Sequence, residues 1–131
     1  AEFARQFGEY IGLCFQIKDD IFDYFENEEL GKPTGNDMLE GKLTLPALYV
    51  LNNKAGEKYR QLALKIRAFE ASRDEIEDFV RFVKQEGGIE YAQNVMYDYR
   101  SRALALLPET ADESVREALT MYIDYVIERN K

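Results

Sequence analysis

The sequence predicts an all-α protein, and three observations carry that reading. Apolar residues recur at helical spacing in segment after segment, and no segment alternates polar and apolar residues as a half-buried strand would. Glycine, proline and asparagine collect between the periodic segments, where turns belong. With 131 residues, a single all-α domain over 1–131 is expected, large enough for a real core. Hydrophobic residues make up 46% and charged residues 32%, a globular rather than a disordered composition.

The first helix is expected from about residue 1 to 28. Phe3, Phe7, Ile11, Cys14, Ile17, Ile21 and Phe25 form one continuous apolar stripe along it. Ala1-Glu2-Phe3-Ala4 is already in helical phase with no initiator methionine or cap before it, so the natural protein is expected to extend further in the N-terminal direction. Residues 29–42 read as a loop, punctuated by Gly31, Pro33, Gly35 and Gly41. Leu43 to Asn53 resumes a helical pattern, with Thr44 as a cap and Pro46 suited to the first turn. Tyr59, Leu62, Ala63, Ile66 and Phe69 mark the next helix. Ser72 and Glu75 then form an S-x-x-E capping box, opening a helix whose face is Ile76, Phe79, Val80 and Val83. Gly87-Gly88 ends it. A longer helix buries Ile89, Ala92, Val95, Met96, Tyr99, Ala103 and Leu106, and Pro108 breaks it. The last helix, from about Asp112 to Arg129, presents Val115, Leu119, Tyr122, Ile123 and Val126. The nine tyrosines are expected mainly in core packing, and Arg100 and Arg102 as solvated partners of nearby acids.

A net charge of −8 leaves no basic face for nucleic acid phosphates, so nucleic acid is excluded as a partner. Lys32 and Lys42 are local exceptions to that acidity. Cys14 is the sole cysteine, which suits a reducing compartment. No run of about 18 apolar residues and no signal-peptide pattern occurs, so a cytoplasmic protein without stable membrane insertion is expected.

Roughly opposite the apolar stripe of the first helix lie Gly12, Gln16, Asp19 and Asp23, with Asp20 at the edge. This second stripe has two readings, a solvated helix face or the lining of a cavity. A solvated face would be richer in Lys, Arg and Glu, and here Leu13, Phe15 and Phe22 flank the aspartates, which favours the cavity. Aspartates inside a helix are disfavoured by up to ~0.7 kcal/mol each, and a like-charge i,i+4 pair adds ~0.2–0.5. Glu26, Glu28 and Glu29 load the helix end where the macrodipole prefers cations. A bound divalent cation would reverse the sign of these effects. Oxygen-only ligands, with no histidine in the chain, favour Mg²⁺ over zinc. The glycines at 31, 35 and 41 permit close backbone approach, and Lys32 and Lys42 supply point charges suited to phosphate oxygens.

Taken together, the string FQIKDDIFDYF…GKPTGNDMLEGKLTLPALYVL closely resembles the second aspartate-rich region of the trans-isoprenyl diphosphate synthases, or polyprenyl synthetases. Gly87-Gly88-Ile89 and the long helix after it resemble the C-terminal part of those enzymes, so the likeness covers essentially the whole chain.

The resemblance implies the C-terminal helices of an isoprenoid-synthase-type bundle and a transferase that joins isopentenyl diphosphate to an allylic diphosphate. It also implies Mg²⁺ as cofactor. A homodimer is expected from the first helix itself, where Phe3, Phe7, Ile11, Leu13, Phe15, Ile17, Ile21, Phe22 and Phe25 put apolar surface around most of the circumference, more than the helices after it are expected to cover. By the family pattern, Asp19, Asp20 and Asp23 match the second DDxxD motif, with Asp19 a metal ligand and Asp23 a direct or water-mediated helper. Gln16 matches a position beside the reacting allyl group, and Lys32 a lysine that contacts the allylic diphosphate. Asp37 and Lys42 match loop positions that support the metal's waters and the phosphates. The first aspartate-rich motif is not in this sequence, so the chain is expected to hold half of the active site and to be inactive alone. Two other readings stand beside this one. A non-catalytic helical subunit of a heteromeric synthase is opposed by the intact aspartates and lysines, and a terpene cyclase-like lyase fits the GKPTGNDMLEGK loop less well.

Overall fold

The computed structural model describes residues 2–25, 34–108 and 110–128. They form seven helices in the order α1 (Glu2–Phe22), α2 (Asn36–Leu39), α3 (Leu45–Asn53), α4 (Glu57–Arg67), α5 (Arg73–Gln85), α6 (Gly88–Ala105) and α7 (Glu113–Glu128), with no strand among the described residues. The expected all-α class is what the chain adopts. Among the described residues no helix is long and apolar enough to cross a membrane.

The chain divides into two compact units, Ala1–Asp19 with Gln93–Lys131, and Asp20–Ala92. In the first unit, α1 turns Phe7, Cys14 and Ile17 inward, as its apolar stripe dictates, and α6 and α7 contribute Met96, Ala103, Ile123 and Ile127. The Cys14 thiol donates to the Met96 carbonyl at 3.4 Å, tying α1 to α6. Tyr10 and Tyr99 pack with ring centroids 5.9 Å apart. Arg100 does find an acid, but it does so half-buried: its Nε donates to Asp124 Oδ1 at 2.5 Å, joining α6 to α7. Arg102 pairs with Asp98 at 3.0 Å in the exposed position expected of it. On α7 the face agrees with the expected one at Ile123 and Val126 and differs from it elsewhere. Ile123, Val126 and Ile127 are buried, whereas Val115 and Tyr122 are exposed. Apolar residues ring much of this helix, so periodicity does not single out which side meets the core.

In the second unit, α5 is the central support. Its capping box forms as expected, Glu75 N–H donating to Ser72 Oγ at 3.1 Å and Ser72 N–H to Glu75 Oε1 at 2.9 Å. Ile76, Phe79, Val80 and Val83 are buried against Val50 of α3 and Leu62, Ala63 and Ile66 of α4 in one core. Pro46 takes its place in the first turn of α3, while Thr44 stands at the cap position without a capping bond from its side chain. Tyr49 stacks on Tyr91 at 4.1 Å and Tyr59 on Phe82 at 3.7 Å, but the expected core packing of the tyrosines holds fully for Tyr24 alone, and Tyr91, Tyr97, Tyr122 and Tyr125 are exposed. A Cβ on Gly88 would lie 2.6 Å from Val83 Cγ1 and 2.8 Å from the Pro46 carbonyl oxygen, so only glycine lets α6 begin this close to α3 and α5.

Helix α1 is shorter than its apolar phase predicts. It ends at Phe22, and Tyr24 and Phe25 bond back to Ile21 and Phe22 at 3.0 and 3.1 Å in a tighter turn. Phe25, placed on the buried stripe by extrapolation, is consequently exposed, with the Lys84 ammonium 4.5 Å from its ring centroid.

Candidate active site

Asp23, the first residue past α1, fastens residues 35–37 beside it. Asp23 directs its polar atoms forward in sequence: its carbonyl accepts the Gly35 N–H at 2.9 Å, Oδ1 accepts the Asn36 N–H and Oδ2 the Asp37 N–H, each at 3.0 Å. Gly35 caps α2 with no side chain to offer, so the first amides of that short helix need an acceptor from elsewhere. Asp23 supplies it. Gly35 sits at φ 79°, and a Cβ there would lie 2.7 Å from Ile76 Cγ2, so the loop passes closer to α5 than another residue type allows. Past α2 the chain turns back on itself, Gly41 N–H donating to the Met38 carbonyl at 3.0 Å and Lys42 N–H to the Asp37 carbonyl at 2.9 Å. Arg73, the first residue of α5, donates from its guanidinium to the Thr34 carbonyl and lies 3.7 Å from a Glu77 carboxylate oxygen.

The electrostatics follow from these placements. Burial lifts the Asp23 carboxyl to about 6, with the Asp37 charge adding to the rise, and the amides of Asp37 and Asn36 and the Arg73 charge opposing it. Burial likewise holds the Tyr24 phenol well above its ordinary range, and Asp23, Asp20 and Asp37 add to that. Thr44 offsets part of it without the geometry of a formed hydrogen bond, and the Tyr24 hydroxyl is buried with no such bond. Asp20, one turn before Tyr24, is itself only 8% exposed. Lys42 is exposed, its ammonium 3.1 Å from a Glu40 carboxylate oxygen. Glu40 first and then Asp37 raise its pKa, so the lysine stays cationic.

Asp20, Asp23, Asp37 and Lys42 thus belong to one unit, in which Asp37 is bonded through its own backbone to both Asp23 and Lys42. Gln16 and Asp19 lie earlier on α1, in the other unit, Gln16 exposed and Asp19 half-buried. Lys32 lies outside the described residues. No three carboxylate, thiol or imidazole groups among the described residues converge tightly enough to hold a metal ion by themselves. The donor chemistry still fits a hard cation. Every candidate ligand is a carboxylate, and each Asp23 oxygen keeps a lone pair beyond the amide it accepts.

Sequence reasoning missed three residues here. Arg73 has no motif around it beyond the preceding cap. Tyr24 was one tyrosine among many on apolar faces. Phe69, which the apolar pattern includes in α4, lies past the end of that helix and is 73% exposed, with φ 62° and its ring against Gly41. The only available signal for any of them was proximity to the loop in sequence, which Tyr24 alone has.

Comparison with known proteins gives a consistent picture. The family model for polyprenyl synthetase matches residues 1–83. The chain is 39% identical over 128 residues to a short chain isoprenyl diphosphate synthase of Methanothermobacter thermautotrophicus, covering 95% of this chain and 38% of that protein. Among solved structures it is similar to geranylgeranyl pyrophosphate synthase from Bacteroides thetaiotaomicron, at 53% identity and a TM-score of 0.90, over 98% of this chain and 42% of that one. A polyprenyl synthase from Caulobacter crescentus, crystallised with calcium and isoprenyl diphosphate, is similar at 30% identity and a TM-score of 0.85, over 99% of this chain and 40% of that one. The chain therefore spans well under half the length of these relatives. With its first 83 residues matched by the family model and its helices superimposing on solved members, the chain belongs to the polyprenyl synthetase family.

Proposed function

We propose that this chain carries one half of the active site of a Mg²⁺-dependent prenyltransferase, which joins isopentenyl diphosphate to an allylic diphosphate and releases diphosphate. The observation that carries the reading is the anchoring of the Asp37–Lys42 turn to Asp23 at the end of the aspartate-bearing helix. That fastening sets carboxylates and a permanently charged lysine in one short, preorganised segment, as binding a polyanion requires. The similar Caulobacter protein, crystallised with calcium and isoprenyl diphosphate, supports a divalent cation and an isoprenoid diphosphate as ligands.

In this reading Asp19 and Asp20 would hold the cation with support from Asp23 and Asp37, and its remaining ligands would come from a part of the protein outside this chain. Bound Mg²⁺ would supply positive charge to the departing diphosphate as the allylic C–O bond ionises. Lys32 and Lys42 bind diphosphate oxygens. Gln16 borders the reacting allyl group. No side-chain nucleophile is needed, because the alkene of isopentenyl diphosphate attacks the allylic carbon as the C–O bond to diphosphate breaks, and the cation so formed loses a proton, which the departed diphosphate can accept, to leave the new double bond. The working protein in this reading is a cytoplasmic homodimer.

Replacing Asp19 by Asn in the full-length protein keeps the size and removes one charge of the metal set. Because that charge matters most as the leaving group gains charge, kcat should fall by about tenfold or more while KM changes less. Kinetics equal to wild type would refute the assignment of Asp19.

A further inference from the structure

Phe69 occupies a position where glycine is the usual solution. Helix α4 ends at Arg67, and the chain closes it with Phe69 N–H donating to the Ile66 carbonyl at 3.1 Å and Glu70 N–H to the Lys65 carbonyl at 2.8 Å. This closing turn puts Phe69 at φ 62°, the single non-glycine residue with positive φ among those described. A side chain is strained there. Nor does core burial explain the choice, since the residue is 73% exposed.

What the ring does touch is the turn that carries Lys42. A Cβ on Gly41 would lie 2.9 Å from Phe69 Cζ and 3.0 Å from Cε1, so the ring edge rests directly on the Gly41 backbone. Gly41 is itself at φ 77° and leads at once into Lys42. The bonds from Gly41 to Met38 and from Lys42 to Asp37 close the turn on its inner side. The Phe69 ring closes it from another side. A glycine at 69 would relieve the strain but would leave that side of the turn open.

We propose that Phe69 is a positioning residue for Lys42, its ring propping the Gly41–Lys42 turn so that the ammonium is presented to a diphosphate group. The proposal deepens the diphosphate-binding reading of this loop and rests on it for the ligand. The strained backbone is retained because it aims the ring at Gly41. Phe69 acts only through the turn and touches no reacting group.

The test uses Phe69→Gly, Phe69→Ala and Phe69→Tyr in the full-length protein, with two readouts. The first is hydrogen exchange at the Gly41 and Lys42 amides. The second is steady-state kinetics with the allylic diphosphate, with Mg²⁺ and inorganic diphosphate as a competing probe. Gly and Ala remove the same ring but differ in strain, so Phe69→Gly should withstand more urea than Phe69→Ala. Both should speed exchange at the two amides alike and raise KM by roughly fivefold with kcat little changed, because a ground-state contact is lost. Phe69→Tyr keeps the ring and should restore both readouts. Exchange unchanged in Phe69→Gly, or a KM that follows urea stability across the variants instead of the presence of the ring, would overturn the proposal. Should the wild-type protein transfer no prenyl group, the functional reading fails, and the exchange measurement alone decides the role of Phe69.

Discussion

Asp37 donates its backbone N–H to Asp23 Oδ2 at 3.0 Å, a bond that reaches across the loop from the end of α1 to the start of α2. A neighbouring bond from Asn36 to the other oxygen makes the carboxylate a two-pronged acceptor. Asp23 is thus a structural fastening of the loop as well as a member of the aspartate motif.

Replacing Asp23 by Ala leaves two partly buried N–H groups without their acceptor, at about 1–3 kcal/mol for each such group if water does not replace it. We expect the urea midpoint of Asp23→Ala to fall and the Asn36 and Asp37 amides to exchange faster. Asp23→Asn retains one acceptor oxygen and should lie between the two. A midpoint for Asp23→Ala equal to wild type would show that the loop is held by other contacts.

Arg100 and Asp124 tie α6 to α7 through Nε and Nη2, at 2.5 and 3.2 Å from the two carboxylate oxygens. The pair is only partly screened from water, so its net contribution belongs near ~1 kcal/mol, not at the several expected for a fully buried pair. Arg100→Met and Asp124→Asn should each lower stability by about that amount, and the double variant by less than their sum. Additive losses in a double-mutant cycle would mean that the two side chains contribute independently.

Burial pushes the Cys14 thiol from its ordinary value of 9.0 to about 11, with the Arg100 charge drawing it partly back. The thiolate is the reactive form, so Cys14 in the folded protein should react with iodoacetamide at pH 8 far more slowly than in urea. The linkage has a definite sign. The unfolded thiol ionises near 9 while the folded one stays neutral to about 11, so stability contributed by the neutral thiol is present below pH 9 and is lost as pH rises to 11. The stability difference between wild type and Cys14→Ser should shrink across that window. A native alkylation rate equal to the unfolded rate would contradict the buried placement of the thiol.

The legible parts of the fold are those set by local rules. The Ser72–Glu75 capping box and the buried face of α5 follow from cap chemistry and a clean 3.6-residue period. Pro46 in the first turn of α3 is equally local. What sequence did not reveal depends on contacts between distant residues. Just past the end of α1 at Phe22, the amides of residues 35, 36 and 37 bond to Asp23, a pairing that no helical period encodes. The left-handed Phe69 breaks a propensity rule, and its reason lies at Gly41 in another segment. Helix α7 is apolar on too many sides for its phase to choose between Tyr122 and Ile127. The aspartate motif and the loop are contiguous in sequence, which is why they are read together, but nothing in the sequence marks Asp23 as the acceptor that fastens the Asn36 and Asp37 amides.

In the proposed function this chain holds half of a prenyl-transfer site. The most direct measurement is prenyl transfer from an allylic diphosphate to isopentenyl diphosphate in the presence of Mg²⁺, made in parallel on the isolated chain and on the full-length protein. The full-length protein should form the elongated diphosphate and lose the activity on chelation of the metal. The isolated chain should form none, because in the proposed reading the other ligands and positioning groups come from outside it. Product from the isolated chain, or none from the full-length protein with both substrates and metal present, would contradict the claim.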